Sequence, residues 1–210
     1  MISFIVPVFN GEKYLDECLS SINLADSEII VVNDGSMDAS EKIAKKYTDK
    51  IVNIEHSGPV IARNIGLSHA RGEYIIFMDA DDILIEHATD ICMKNIDGFD
   101  GVIGLRSDFI SPDCPDISIQ TKSSHHGVIS GCAMFRRECF DIIGKMDEEL
   151  LCGDGYDWLL RAEKNGLKFN KIDNILCMRR IHNSNMGRQM AGREKSDYIK
   201  IIKKHFVGQK

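Results

Sequence analysis

Proline and aromatic residues are scarce in this 210-residue chain, which has only four prolines and 7% aromatic residues. Apolar runs are also short, and none approaches the ~20 residues that a membrane-spanning helix needs. With 43% hydrophobic and 28% charged residues, the composition is globular and excludes disordered, collagen-like and fibrous chains. We therefore expect a single domain over residues 1–210 with an ordinary hydrophobic core.

The cysteine spacings of metal and redox sites are missing as well. None of the seven cysteines forms a C-x-x-C pair, so zinc-ribbon and thioredoxin-like sites lose their main support. Reduced and mostly buried thiols are the simplest interpretation. The first residues lack a basic lead and reach Pro7 and Asn10 too early for a secretory signal. These features predict a soluble cytoplasmic protein.

Charge is unevenly distributed along the chain. The net charge of −6 argues against general nucleic-acid binding. Residues 179–210 nevertheless carry nine Lys and Arg against two acidic residues, and Glu194–Phe206 has the spacing of a basic amphipathic helix. This tail is either a solvated helix or a peripheral contact with the anionic inner face of a membrane.

Apolar runs alternate with segments of helical spacing through the first 105 residues. This alternation predicts an α/β protein with a three-layer α/β/α arrangement and a mostly parallel central sheet. The predicted strands are Ile2–Val8, Glu28–Val32, Ile51–Ile54, Glu73–Met78 and Gly101–Leu105. The predicted helices between them are Glu12–Leu24, Ser40–Tyr47, Val60–Ala70 and Ile83–Ile96.

The second half of the chain has a less regular pattern. Residues 106–127 predict a long loop or a short hairpin. Strands are expected at Val128–Phe135 and Phe169–Arg180, and helices at Arg136–Ile143 and Asp154–Asn165.

Polar clusters follow the first, second and fourth apolar runs. In an open parallel sheet the carboxyl ends of the strands form the ligand-binding edge, so these clusters are expected to meet there. Phe9, after the first run, offers a flat face to a base, although Pro7–Asn10 is equally suited to a simple turn. Asp34, after the second, either forms an Asp-Gly turn or accepts a hydrogen bond from a base or ribose.

The segment Asp79-Ala80-Asp81-Asp82 is the sharpest chemical signal. Three carboxylates within four residues repel one another unless a divalent cation such as Mg²⁺ or Mn²⁺ lies between them. The plain alternative is an N-cap for the following helix, with Asp82 in that role. A diphosphate bridged by such a metal would indicate a nucleoside-diphosphate substrate, and Arg63 would support the same anion. The alternative for Arg63 is a solvated surface cation.

Four ordered motifs resemble the family 2 glycosyltransferases of the GT-A fold. They are Pro7-Val8-Phe9-Asn10-Gly11-Glu12, Val31-Val32-Asn33-Asp34-Gly35-Ser36-Met37-Asp38, Ala62-Arg63-Asn64-Ile65-Gly66 and Phe77-Met78-Asp79-Ala80-Asp81-Asp82. The resemblance implies a nucleotide-diphospho-sugar donor, most often UDP-linked, and metal-assisted transfer of a hexosyl group to a hydroxyl with inversion. It divides the chain into a donor-binding half (1–105), an acceptor-binding half (106–192) and the basic C-terminal helix (193–210).

The resemblance also implies roles for individual residues. Phe9 and Asp34 would hold the base, Asp79 and Asp81 the ribose and the metal-bound diphosphate, and His182 the diphosphate or the metal. The full set expected at the nucleotide-sugar is Pro7, Phe9, Asn10, Glu12, Asp34, Arg63, Asp79, Ala80 and Asp81. The acceptor would be a saccharide or a lipid-linked molecule, in surface polysaccharide or glycolipid synthesis.

An inverting transfer needs one general base for the acceptor hydroxyl. Relatives place a Glu-Asp pair before a Tyr-Asp-x-x-Leu-Arg helix, and this chain has Asp154-Gly155 there. We expect Asp154 to be the base, since it lies in the loop at the mouth of the site. The alternative is that Asp154 only caps the helix and that the chain is a non-catalytic nucleotide-sugar-binding protein.

Overall fold

The computed structural model describes residues 1–23, 25–117, 124–129, 131–185 and 194–207. The strands are β1 (Ile2–Val8), β2 (Ser27–Asp34), β3 (Ile51–Ile54), β4 (Tyr74–Phe77), β5 (Ile83–Leu84), β6 (Gly101–Ile110), β7 (His125–His126), β8 (Ala133–Arg136) and β9 (Phe169–Ile181). The helices are α1 (Leu15–Ser20), α2 (Ser40–Ala44), α3 (Pro59–His69), α4 (Ala88–Asn95), α5 (Glu138–Ile143), α6 (Asp154–Lys164) and α7 (Glu194–Phe206).

The first half of the chain forms the predicted parallel sheet. β1 lies between β2 and β4, β3 lies beyond β2, and all four strands are parallel. Every residue of β1 is buried because the sheet is covered on both faces, which explains why all of its residues except Ser3 are apolar.

The second half adds antiparallel pairs, so the sheet as a whole is mixed, a minor departure from the predicted, mostly parallel sheet. β8 is antiparallel to both β4 and β6, and β9 is parallel to β6 but antiparallel to β5. The described chain between β6 and β8 contains no crossover helix, and a strand reached without one returns antiparallel.

The predicted helix at Ile83–Ile96 is also corrected. Ile83 and Leu84 form a short strand paired with Cys177 and Met178 of β9, and α4 begins only at Ala88. Helix α4 is therefore too far along the chain for Asp82 to cap it. The residues from Arg106 continue β6 to Ile110, and β7 pairs back onto β6 as a short hairpin.

Hydrophobic cores lie on both faces of the sheet. Trp158 is fully buried, stacks on Phe140 at a 4.5 Å centroid distance and donates from Nε1 to the Gly144 carbonyl, as expected of a core residue. The seven cysteines, all within the described residues, form no disulfide. No helix in the described parts of the chain has both the length and the apolar content to cross a bilayer.

Candidate active site

The loops after β1, β2 and β4 meet at the carboxyl edge of the parallel strands. Two side chains tie the first loop to the second: Asn10 Oδ1 accepts the Met37 N–H at 2.9 Å, and Glu12 Oε2 accepts the Ala39 N–H at 3.0 Å. Asn10 itself has a left-handed backbone, with φ of 48°. Asn10 and Glu12 therefore shape the edge where the donor is expected.

Phe9 and Asp34 lie in the same corner of this edge and are joined by His56. The His56 ring stacks on Phe9 with centroids 3.9 Å apart, and its Nδ1 lies 3.0 Å from Asp34 Oδ2. Asp34 also accepts the N–H groups of Ser57 at 2.7 Å and Gly58 at 3.0 Å, which fixes the turn into α3.

His56 was not singled out from the sequence. It follows β3 at the same edge of the sheet. Ligand contacts tend to follow parallel strands, so the position of His56 after the third strand is the sequence signal for it.

Arg63 links two of the expected site carboxylates. Its Nη2 donates to Asp79 Oδ1 at 2.9 Å, and its Nη1 donates to Asp154 Oδ2 at 3.0 Å. Arg63 is 7% exposed, so it is a buried cation and not a solvated surface residue. Burial alone would lower the pKa of Arg63, but the attraction of Asp154 and Asp79 outweighs it and raises that pKa.

Asp81 pairs with residues from the end of β9. Its Oδ2 lies 2.8 Å from His182 Nε2 and accepts from Asn185 Nδ2 at 3.0 Å. The His182 N–H donates in turn to Asn185 Oδ1 at 2.7 Å, so these two residues form one unit around the carboxylate. The predicted meeting of Asp81 and His182 is thus present in the structure.

Asp82 is buried behind this pair. Its Oδ1 accepts the Arg180 N–H at 2.9 Å, and its Oδ2 has no hydrogen-bond partner among the described residues. Burial, followed by repulsion from Asp81 and Asp79, raises the pKa of Asp82 well above its usual range. This shift favours the neutral acid form of Asp82, so the negative charge of the acidic segment lies mainly on Asp79 and Asp81.

Arg180 supports the acidic segment and was not predicted. Its guanidinium lies between the rings of Tyr14 and Phe109, 4.8 Å from each centroid, and its Nε donates to the Asp81 carbonyl at 3.0 Å. An arginine at the end of a strand carries no sequence signal for this role, because its partners come from three distant segments.

The residues present fit a divalent cation held jointly with a ligand. Carboxylate oxygen suits Mg²⁺ and Mn²⁺, which usually keep waters and bind substrate phosphates. Asp81 and His182 offer two adjacent donors, whereas Asp79 is turned toward Arg63. No group of three His, Cys, Asp or Glu side chains within the described residues is arranged as a ready cage, so the remaining ligands would come from the substrate and water.

Asp154 is the first residue of α6, and Gly153 before it occupies the N-cap position. A Cβ at Gly155 would lie 2.7 Å from Ile129 Cγ1, so an isoleucine fills the space beside this glycine. Asp157 pairs with Arg161, Lys204 and His205, so its contacts are with α6 and α7.

The chain belongs to glycosyl transferase family 2, whose family model matches residues 3–144. It is 31% identical over 209 residues to an uncharacterized glycosyltransferase of Rickettsia typhi, covering 88% of this chain and 65% of that protein. It is 28% identical over 209 residues to the uncharacterized glycosyltransferase EpsJ of Bacillus subtilis, covering 86% and 61%. The chain thus spans less than two thirds of each relative.

Solved structures share the fold. TarS residues 1–349 of S. aureus, in complex with UDP-GlcNAc, superpose with a TM-score of 0.76 at 20% identity, covering 96% of this chain and 64% of that one. The mannosyltransferase PcManGT of Pyrobaculum calidifontis, in complex with GDP-Man and Mn²⁺, gives 0.70 at 17% identity, covering 100% and 65%. These matches confirm the α/β fold of the GT-A type with its curled mixed sheet.

Removal of the Arg63 guanidinium should destabilise the fold. Arg63→Met leaves Asp154 as a buried, unpaired charge and should lower the free energy of unfolding by about 3–5 kcal/mol at pH 7. Urea unfolding measures this loss. Adding Asp154→Asn to Arg63→Met should restore part of it, so strictly additive losses in the double variant would contradict the pairing.

Proposed function

We propose that this chain is an inverting, metal-assisted glycosyltransferase that moves a hexosyl group from a nucleotide-diphospho-sugar to an acceptor hydroxyl. The main support is the clustering of charged residues at the ligand-binding edge of the sheet, in a chain that belongs to glycosyl transferase family 2. Asp81 pairs with His182 there, and Arg63 links Asp79 to Asp154.

The donor is assigned to the corner formed by Phe9, His56 and Asp34. An exposed ring supplies a stacking face, and a fixed carboxylate accepts the N–H of a base. TarS, bound to UDP-GlcNAc, and PcManGT, bound to GDP-Man, support a nucleotide-sugar of this kind. We favour a UDP-sugar, as the motif resemblance implies.

Asp81 and His182 are the residues that would hold Mn²⁺ or Mg²⁺, with Asp79 beside them. A cation there neutralises charge on the departing diphosphate. Arg63 adds a second, permanent positive charge beside the same carboxylates, at 2.9 Å from Asp79. This arrangement explains why so many acidic side chains are tolerated at one edge.

Asp154 is proposed as the general base. The acceptor oxygen forms a bond to the anomeric carbon, the bond from that carbon to the phosphate oxygen breaks, and the hydroxyl proton passes to an Asp154 oxygen. Arg63 fixes the carboxylate through Oδ2 at 3.0 Å. Because Gly155 supplies no second acid, Asp154 would act alone.

A non-catalytic nucleotide-sugar-binding protein is the second candidate. Two observations favour it: the Asp154 carboxylate already has a buried cation as partner, and Ile129 fills the space beside Gly155. Binding of the donor without turnover would distinguish it from the enzyme.

The acceptor is proposed to be a saccharide or a lipid-linked molecule of surface polysaccharide or glycolipid synthesis, in the cytoplasm. Helix α7 supports a peripheral contact with the membrane. Ile199, Ile202 and Phe206 are 51%, 52% and 64% exposed on its outer face, and the exposed lysines 195 and 203 accompany them. Exposed apolar residues flanked by cations match an anionic lipid surface.

A thermal-shift panel tests the donor and the metal together. UDP-, GDP- and dTDP-sugars are compared with and without Mn²⁺, and ligand binding stabilises by about 2.7 kcal/mol at a concentration 100 times Kd. We expect the largest shift with a UDP-sugar and Mn²⁺, and loss of its metal-dependent part in Asp81→Asn. Asp90→Asn, the same change on the exposed surface of α4, is the matched control. A flat panel would overturn the assignment.

Release of UDP from the donor tests the base. Asp154→Asn keeps an acceptor for Arg63 but cannot take a proton, so kcat should fall about 10²–10⁴-fold with little change in donor KM. Release is measured with water as the acceptor, again with Asp90→Asn as control. An unchanged kcat would exclude Asp154, and a wild-type chain that binds donor without releasing UDP would favour the binding protein.

Vesicle flotation tests the membrane contact. The chain should float with phosphatidylcholine vesicles that contain phosphatidylglycerol and not with pure phosphatidylcholine, and added salt should weaken the contact. Ile202→Ser with Phe206→Ser should abolish flotation. Ile142→Ser, at a 61% exposed position on α5, serves as the control. Equal flotation of all variants would rule out the outer face of α7.

A further inference from the structure

The inner face of α7 packs against the loop that leads into α6. That loop, residues 150–153, ends directly at Asp154. Both α6 and α7 lie after residue 144, where the match to the family model ends. The contacts between them are therefore features of this chain that the family comparison does not describe.

Asp197 makes the first of these contacts. It is 4% exposed, and its Oδ2 accepts the N–H of Leu151 at 2.9 Å and that of Cys152 at 3.2 Å. Its other oxygen accepts from Lys200 at 2.9 Å. One buried carboxylate thus fixes two consecutive peptide groups immediately before Gly153 and Asp154.

Gly153 allows the helix to approach this closely. It has a left-handed backbone with φ of 78°, and a Cβ there would lie 2.8 Å from Ile201 Cδ1. A side chain at this position would be strained by the left-handed backbone and would force Ile201 to repack. The glycine therefore permits the close contact between the loop and α7.

A second anchor holds the first turn of α6 from the same side. His205 Nε2 lies 2.8 Å from Asp157 Oδ1, and Lys204 Nζ lies 3.0 Å from the same oxygen. Asp157 is fully buried. Helix α7 therefore contacts the chain on both sides of Asp154, at Leu151 and Cys152 before it and at Asp157 after it.

We infer that α7 is a strut for the proposed base, and that Asp197 is a positioning residue which holds the 150–153 loop so that the Asp154 carboxylate faces the site. This inference rests on the proposed function. Asp154 receives Arg63 on one side, and a reacting carboxylate displaced by about 1 Å can cost a hundredfold in rate. The strut supplies the rigidity that one ion pair with a long, flexible arginine does not.

The test compares Asp197→Ala with Asp197→Asn. The alanine variant loses the acceptor for both N–H groups, so hydrogen exchange in residues 150–153 should accelerate and kcat for UDP release should fall about tenfold or more. Donor KM and the donor-induced thermal shift should stay within about twofold. The asparagine variant keeps an acceptor oxygen and should restore most of kcat, and Asp90→Ala is the control.

Three outcomes would overturn the strut: unchanged exchange in 150–153, fast exchange with a normal kcat, or a kcat loss matched by an equal loss of donor binding. Failure of the proposed function has a different signature, namely a wild-type chain without turnover. In that case the free energy of unfolding reports on the position of Asp154. The loss of this free energy caused by Asp154→Asn should be smaller in the Asp197→Ala background than in the wild type, and an equal loss would reject the inference.

Discussion

The buried guanidinium of Arg63 is the interaction on which the rest of the site depends. It bridges the donor half, through Asp79 on the loop after β4, to the second half of the chain, through Asp154 at the start of α6. A planar fork with two outward nitrogens suits this task, whereas an ammonium group would serve one carboxylate at a time. The site is therefore assembled around a charge that the chain itself carries.

Further positive groups surround the neighbouring acidic segment. The Arg180 guanidinium lies between two aromatic rings and donates to the Asp81 carbonyl, and His182 contacts the Asp81 carboxylate. Asp82 Oδ2 has no hydrogen-bond partner among the described residues. The site thus places two arginines and a histidine around the carboxylates of Asp79 and Asp81.

Much of the donor half could be predicted from the sequence, because continuous apolar runs and polar strand ends are local signals. β1 and β3 have the predicted bounds, and the clusters at Phe9, Asp34 and Asp81 do meet. The second half could not be derived in the same way. The antiparallel direction of β8 depends on its pairing with β4 and β6, and the strand at Ile83 depends on its pairing with Met178 of β9, far along the chain. Arg63 shows the same limit, since its burial is decided by Asp154, which is distant in sequence.

The stack of Phe9 on His56 has a consequence for recognition. An aromatic ring has two faces, and an imidazole already covers one of them. If the base stacks on Phe9, as proposed, it must either use the remaining face, so that three rings stack, or displace the imidazole and break its contact with Asp34. In the first case the stack on His56 strengthens binding of the base. In the second case the loss of the contact between Phe9 and His56 weakens that binding. His56 therefore determines how much of the stacking energy contributes to nucleotide affinity.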